Sequence, residues 1–126
     1  MPPTKVVFFR EASGEVPVLN WLKQLRKKDL RGYEKCAARI HRLELEGSEL
    51  RRPICDYLRG GLYELRARRG RLNYRILYFF RGRNRIVLVS GFSKVGRIPA
   101  SPMSRAFRRK AAFENQPARH KYELEL

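Results

Sequence analysis

The chain has 126 residues, 43% hydrophobic and 33% charged, and its 29 lysines and arginines against 12 acidic residues leave a formal charge of +17. One folded domain fits that length, and the apolar share excludes a disordered basic protein. So large a positive excess predicts a polyanionic or acidic partner. Nucleic acid is favoured over an anionic membrane, because there is no long apolar run and Met1-Pro2-Pro3-Thr4 lacks a signal peptide's design.

Lys5-Val6-Val7-Phe8-Phe9 is β-branched and aromatic and predicts a first strand. Pro17 then suits the first turn of a helix, in which Val18, Trp21, Leu22 and Leu25 form one apolar stripe. Asp29 is placed to cap a second helix with Tyr33, Cys36, Ala37, Ile40 and Leu43 on its apolar side and Gly47 just past its end. The pair reads as a helical hairpin lying on a sheet.

Ser48 to Gly61, with Pro53 and Gly60-Gly61, reads as a loop. Three strands at hairpin spacing follow: Leu62 to Arg68, Leu72 to Phe80 and Arg85 to Phe92. Ile86-Val87-Leu88-Val89 is apolar on both faces, which suits a central strand. Ser101-Pro102 opens a third helix that Pro117 ends, and residues 118–126 are a tail or an added edge strand. The expected fold is α+β, a mostly antiparallel four-stranded sheet with the helices segregated toward one face.

Cys36 and Cys55 stand apart with no Cys/His cluster around them, so neither a zinc site nor a disulfide is expected, and a reduced cytoplasmic setting is. His41 reads as an ordinary helix residue and His120 as part of a mobile tail.

Period two puts Tyr63, Leu65 and Ala67 on one face of their strand and Glu64, Arg66 and Arg68 on the other. If helices cover the apolar side, the charged row becomes an open basic groove that Arg75 and Asn73 join across the hairpin, with Arg71 in the turn. Such a surface suits RNA cleavage by transesterification, which needs a base for the 2′-hydroxyl, cations for the phosphate and an acid for the leaving 5′-oxygen. Arginine fills the second role well, because its fork holds two phosphate oxygens and stays charged. Glu64 or Asp56 is the candidate base, and Lys94 or an arginine the candidate acid.

Gly61-Leu62-Tyr63-Glu64-Leu65-Arg66, Tyr74-Arg75-Ile76-Leu77-Tyr78-Phe79, Gly91-Phe92-Ser93-Lys94 and Pro99 follow one another in an order that resembles the RelE/ParE toxin superfamily, in its HigB-like, phage-derived branch. The resemblance runs from about Val6 to Phe113 and implies one small RelE-like toxin domain over residues 1–117. It implies a type II toxin that cleaves mRNA on the ribosome without metal or cofactor and is neutralised by a cognate antitoxin, commonly a helix-turn-helix DNA-binding protein. By position it carries the phosphate-binding role to Arg66, Arg68 and above all Arg75, and RNA contact to Phe92 and Arg97. Phe92-Ser93-Lys94-Val95-Gly96-Arg97-Ile98-Pro99 departs from the branch, which usually has a second Lys after Lys94 and a Thr before the Pro. Two other readings stand beside this one: a ParE-like gyrase poison, and an RNA-binding module without catalysis.

Overall fold

Three strands of alternating pattern carry the sheet in the computed structural model, which describes residues 4–94 and 100–123. They are β3 (Leu62–Arg69), β4 (Leu72–Arg81) and β5 (Arg85–Lys94), with β1 (Lys5–Phe9) and β2 (Cys55–Arg59) before them and β6 (Lys121–Tyr122) after. The β3–β4 turn needs a left-handed residue, and Gly70 supplies it at φ 60°.

The sheet has six strands, not four, in the order β2-β3-β4-β5-β1-β6. β2 comes from the segment expected to be a loop, because Pro53 and Gly60-Gly61 bracket a strand without interrupting it. β1 lies parallel to β5 with Val7 opposite Val87, and the remaining pairings are antiparallel.

Helices α1 (Pro17–Lys28) and α2 (Leu30–Glu46) pack on one face, burying Leu22 and Leu43 against Leu65, Ile76, Tyr78 and Leu88. Gly91 permits this approach, since a Cβ there would lie 2.5 Å from the Trp21 ring. α3 (Ala100–Asn115) covers the opposite face, setting Ala106 and Phe113 on Leu62, Leu77, Phe79 and Val87. The helices are therefore not segregated to one side. β5 and β1 are apolar on both faces, and each face must be covered to keep them from water.

A short helix α4 (Pro117–His120) leads into β6. His120 is buried, stacks on Phe9 at 5.1 Å and hydrogen-bonds through Nδ1 to the Arg10 carbonyl at 2.7 Å. It is therefore no tail residue, and the reason is that its ring completes an aromatic contact with β1. His41 lies exposed on α2, while Cys36 and Cys55 are both free and buried.

One register shift orders the far end of β5. Leu77 pairs with Ser90 and Tyr78 with Leu88, so Val89 is an extra residue. α3 secures this bulge: buried Arg109 donates to the Val89 carbonyl at 2.7 Å and to Ser90 Oγ at 3.1 Å. The shift turns Phe92 and Lys94 to the α3 side of the sheet.

Asp29 ties the hairpin to the sheet, accepting from Gly32 N at 3.1 Å and from the Tyr74 hydroxyl at 2.5 Å. The Tyr74 hydroxyl, helped by the Gly32 amide and Arg69, holds its carboxyl below the usual value of 3.8. A carboxyl depressed by folding stabilises the fold above its unfolded pKa, and that stabilisation is lost as pH falls through the folded value. Thermal melts should thus fall on acidification below about pH 4. Asp29→Ala should lower the melting temperature at neutral pH and flatten that acid dependence; an unchanged acid slope would remove Asp29 from the role.

Candidate nucleic-acid interface

Strand register gathers the charged positions into three adjoining rows. Asp56, Glu64 and Leu77 stand abreast on β2, β3 and β4; Arg66, Arg75 and Phe92 follow on β3, β4 and β5; then come Arg68, Asn73 and Lys94. Eight of the ten residues singled out in the sequence thus share one face. Arg71 sits instead at the exposed tip of the β3–β4 hairpin, and Arg97 lies outside the described residues.

α3 covers this face at Leu62, Leu77 and Phe79. Beyond that cover, Arg66, Arg68, Asn73 and Arg75 line an open cavity of about 300 Å³, with Pro53 and Ile54 at its edge and Arg39 reaching in from α2. The Ile54 carbonyl accepts from Arg66 N at 2.7 Å, which fixes the β3 backbone at this rim.

Arg66 and Arg75 stand directly opposite each other, an arrangement that repels. Glu64 relieves it. The residue is only 3% exposed, and its carboxylate lies 2.7 Å from Arg66 Nη2 and 3.5 Å from Arg75 Nε. Among the described residues no hydrogen bond satisfies Glu64 Oε2 or Arg75 Nε, so there the Arg75 pair is held by charge alone. Arg75 is also fixed by donating to the Tyr74 carbonyl at 3.1 Å, while burial draws its pKa down against the pull of Glu64.

Asp56 closes the other side of the network. It meets Arg52 at 2.9 Å and Arg66 at 3.3 Å, and the Arg52 hydrogen bond first among the causes holds its carboxyl below the usual value. Its side chain keeps 21% of its surface exposed against 4% for Glu64. Arg68 is exposed, donating to the Gly70 carbonyl at 2.8 Å. A basic rim around a sequestered carboxylate can hold an anion between preset guanidinium groups without collapsing on itself.

Arg39 and Arg52 were not anticipated. Arg39 carries a weak signal, being on the polar side of the α2 stripe, and Arg52 none, since its pairing depends on the turn into β2.

Over residues 20–111 the chain matches the family described as Phage derived protein Gp49-like (DUF891). It belongs to that family. The match runs from the body of α1 into α3 and includes all three rows of the site. The Gp49-like family is part of the RelE/HigB-type toxin superfamily, a group of toxin–antitoxin toxins, which implies an antitoxin partner. A search of curated proteins gave no match. Among the described residues, no helix is long and apolar enough to cross a membrane.

Proposed function

We propose that this Gp49-like protein is the toxin of a HigB-like type II pair and an endoribonuclease that cuts mRNA on the ribosome in the cytoplasm. The observation that carries the reading is the Arg66–Glu64–Arg75 cluster, two guanidinium groups preset side by side on an open basic face of a toxin-family fold. A gyrase poison has no need of a phosphate clamp of this kind. The antitoxin, a helix-turn-helix DNA-binding protein in this reading, silences the toxin by keeping RNA from the face.

In the cleavage step the 2′-oxygen bonds to phosphorus while the bond to the 5′-oxygen breaks, leaving a 2′,3′-cyclic phosphate and a 5′-hydroxyl. Arg75 and Arg66, with Arg68 at the rim, stabilise the charge that grows on the phosphate oxygens. Asp56 takes the proton from the 2′-hydroxyl, since it is the more exposed of the two carboxylates. RNA that draws Arg52 away makes Asp56 a stronger base at the moment it is needed. Lys94 returns a proton to the 5′-oxygen, and Asn73, Phe92, Arg71 and Arg97 bind the strand on either side.

Primer extension on mRNA incubated with ribosomes and the purified protein tests the activity. Fragments ending in 5′-hydroxyls are expected with ribosomes and not without them, and trapped double-strand DNA breaks in their absence would replace the proposal with the gyrase reading. The depressed carboxyl of Asp56 adds a pH signature. Cleavage should vary little between about pH 6 and 8 and fall only in or below the ordinary carboxylate range, where Asp56 takes up a proton even after Arg52 is drawn away. A tenfold rise per unit through neutrality would point to an imidazole-like base and dismiss Asp56.

A further inference from the structure

A cavity of about 550 Å³ opens on the other side of the sheet, past the point where α2 ends at Glu46. Its wall is an aromatic ladder. Tyr57, Tyr63 and Tyr78 face one another across β2, β3 and β4, with ring centroids 5.0 and 5.5 Å apart, and the Phe80 ring stands 5.1 Å from Tyr63. Leu50 and Cys55 are buried beneath, and Arg51 and Arg52 stand at the mouth. Tyr78 is core, but Tyr57 is not: 52% of it is exposed, and its hydroxyl accepts from Gly61 N at 3.2 Å, so the ring is held with surface to spare.

We infer that this cavity receives an unpaired nucleobase of the RNA strand whose phosphate lies in the arginine groove. Single-stranded RNA is gripped by stacking its bases on aromatic rings while cations follow the backbone, and the size suits a small planar ligand. Continuity with the groove favours RNA over an acidic peptide. Asp56 and Tyr57 are neighbours on β2 and point to opposite faces, and Arg52 and Asp56 line the cavity while also closing the ion network of the cleavage face. β2 is the outermost strand, with no neighbour beyond it among the described residues. A strand can therefore cross that edge, leaving a phosphate on one side and a base on the other. The inference rests on the RNA-cleaving reading for its choice of ligand, and it assigns Tyr57 and Tyr63 to base stacking and Arg51 to the adjoining phosphate.

The test is a titration of the full chain against a short single-stranded RNA containing 2-aminopurine, whose fluorescence falls on stacking. Saturable quenching is expected with the wild type. Tyr57→Ala should weaken it about tenfold or more, Tyr57→Phe should restore it, and circular dichroism should show both variants folded. Equal quenching by the wild type and Tyr57→Ala overturns the pocket, as does equal binding of a fully paired RNA. Saturable binding of a Glu- and Leu-rich helical peptide that Tyr57→Ala abolishes, with RNA quenching unaffected, gives the pocket to a protein segment and likewise overturns it. Quenching that depends on Tyr57 in a protein that cuts no ribosome-bound mRNA leaves the pocket standing and removes the cleavage reading alone.

Discussion

Arg75→Ala should abolish growth arrest and reduce cleavage of ribosome-bound mRNA by about 100- to 1,000-fold, the loss expected when one preset stabiliser of a developing negative charge is removed. Arg75 is held on three sides, by Glu64, by the Tyr74 carbonyl and by the strand pairing with Phe92, so its guanidinium need not reorganise when the phosphate charge grows. Arg68 is the useful comparison. It is exposed and, among the described residues, bonded only to its own turn, so Arg68→Ala should weaken RNA binding and its salt dependence while costing the chemical step far less. Single-turnover rates at saturating ribosome concentration separate the two effects. Full activity in Arg75→Ala, with the protein folded, would take this residue out of the cleavage site.

Glu64→Ala should destabilise the fold by roughly 3 kcal/mol, near the lower end for breaking a buried ion pair because Arg66 remains 31% exposed. The substitution leaves two opposed guanidinium groups with no carboxylate between them, one of them 11% exposed. Urea unfolding of the single variants and of Glu64→Ala/Arg75→Ala measures the coupling. The double variant should be more stable than the sum of the two single losses predicts, because removing both charges leaves neither stranded. Strict additivity would mean that Glu64 and Arg75 are independent. Such a result would also undo the view of Glu64 as the group that lets two cations sit together.

Alternation at period two was enough to find β3 and β4, with β5 following from hairpin spacing and an apolar run, and it put Glu64, Arg66, Arg68 and Arg75 on one face because every second side chain of a strand shares a side. Other parts of the site depended on information that no local pattern holds. Counting by twos from Val87 puts Gly91 and Ser93, not Phe92 and Lys94, on the arginine face, and only the bulge secured by Arg109 reverses that count. The burial of Glu64 is equally invisible locally, since its exposed alternation with arginines is what a solvated strand face also shows. β2 was hidden because proline and glycine mark the ends of a strand as readily as the body of a loop. The covering of both faces follows from β5 and β1 pairing, a contact between residues some 80 positions apart.

That contact also sets an order of events in time. β1 precedes its parallel partner on β5, which begins at Arg85, by some 80 residues, and α3, which secures the bulge beneath Phe92 and Lys94, comes later still. Pairings between residues so far apart form slowly, because the long loop between them must close first. A nascent chain stopped before α3 would carry the arginines of β3 and β4 without the bulge support that aims β5 at them. The arginine face would therefore be complete only once α3 has been made and has docked on the sheet.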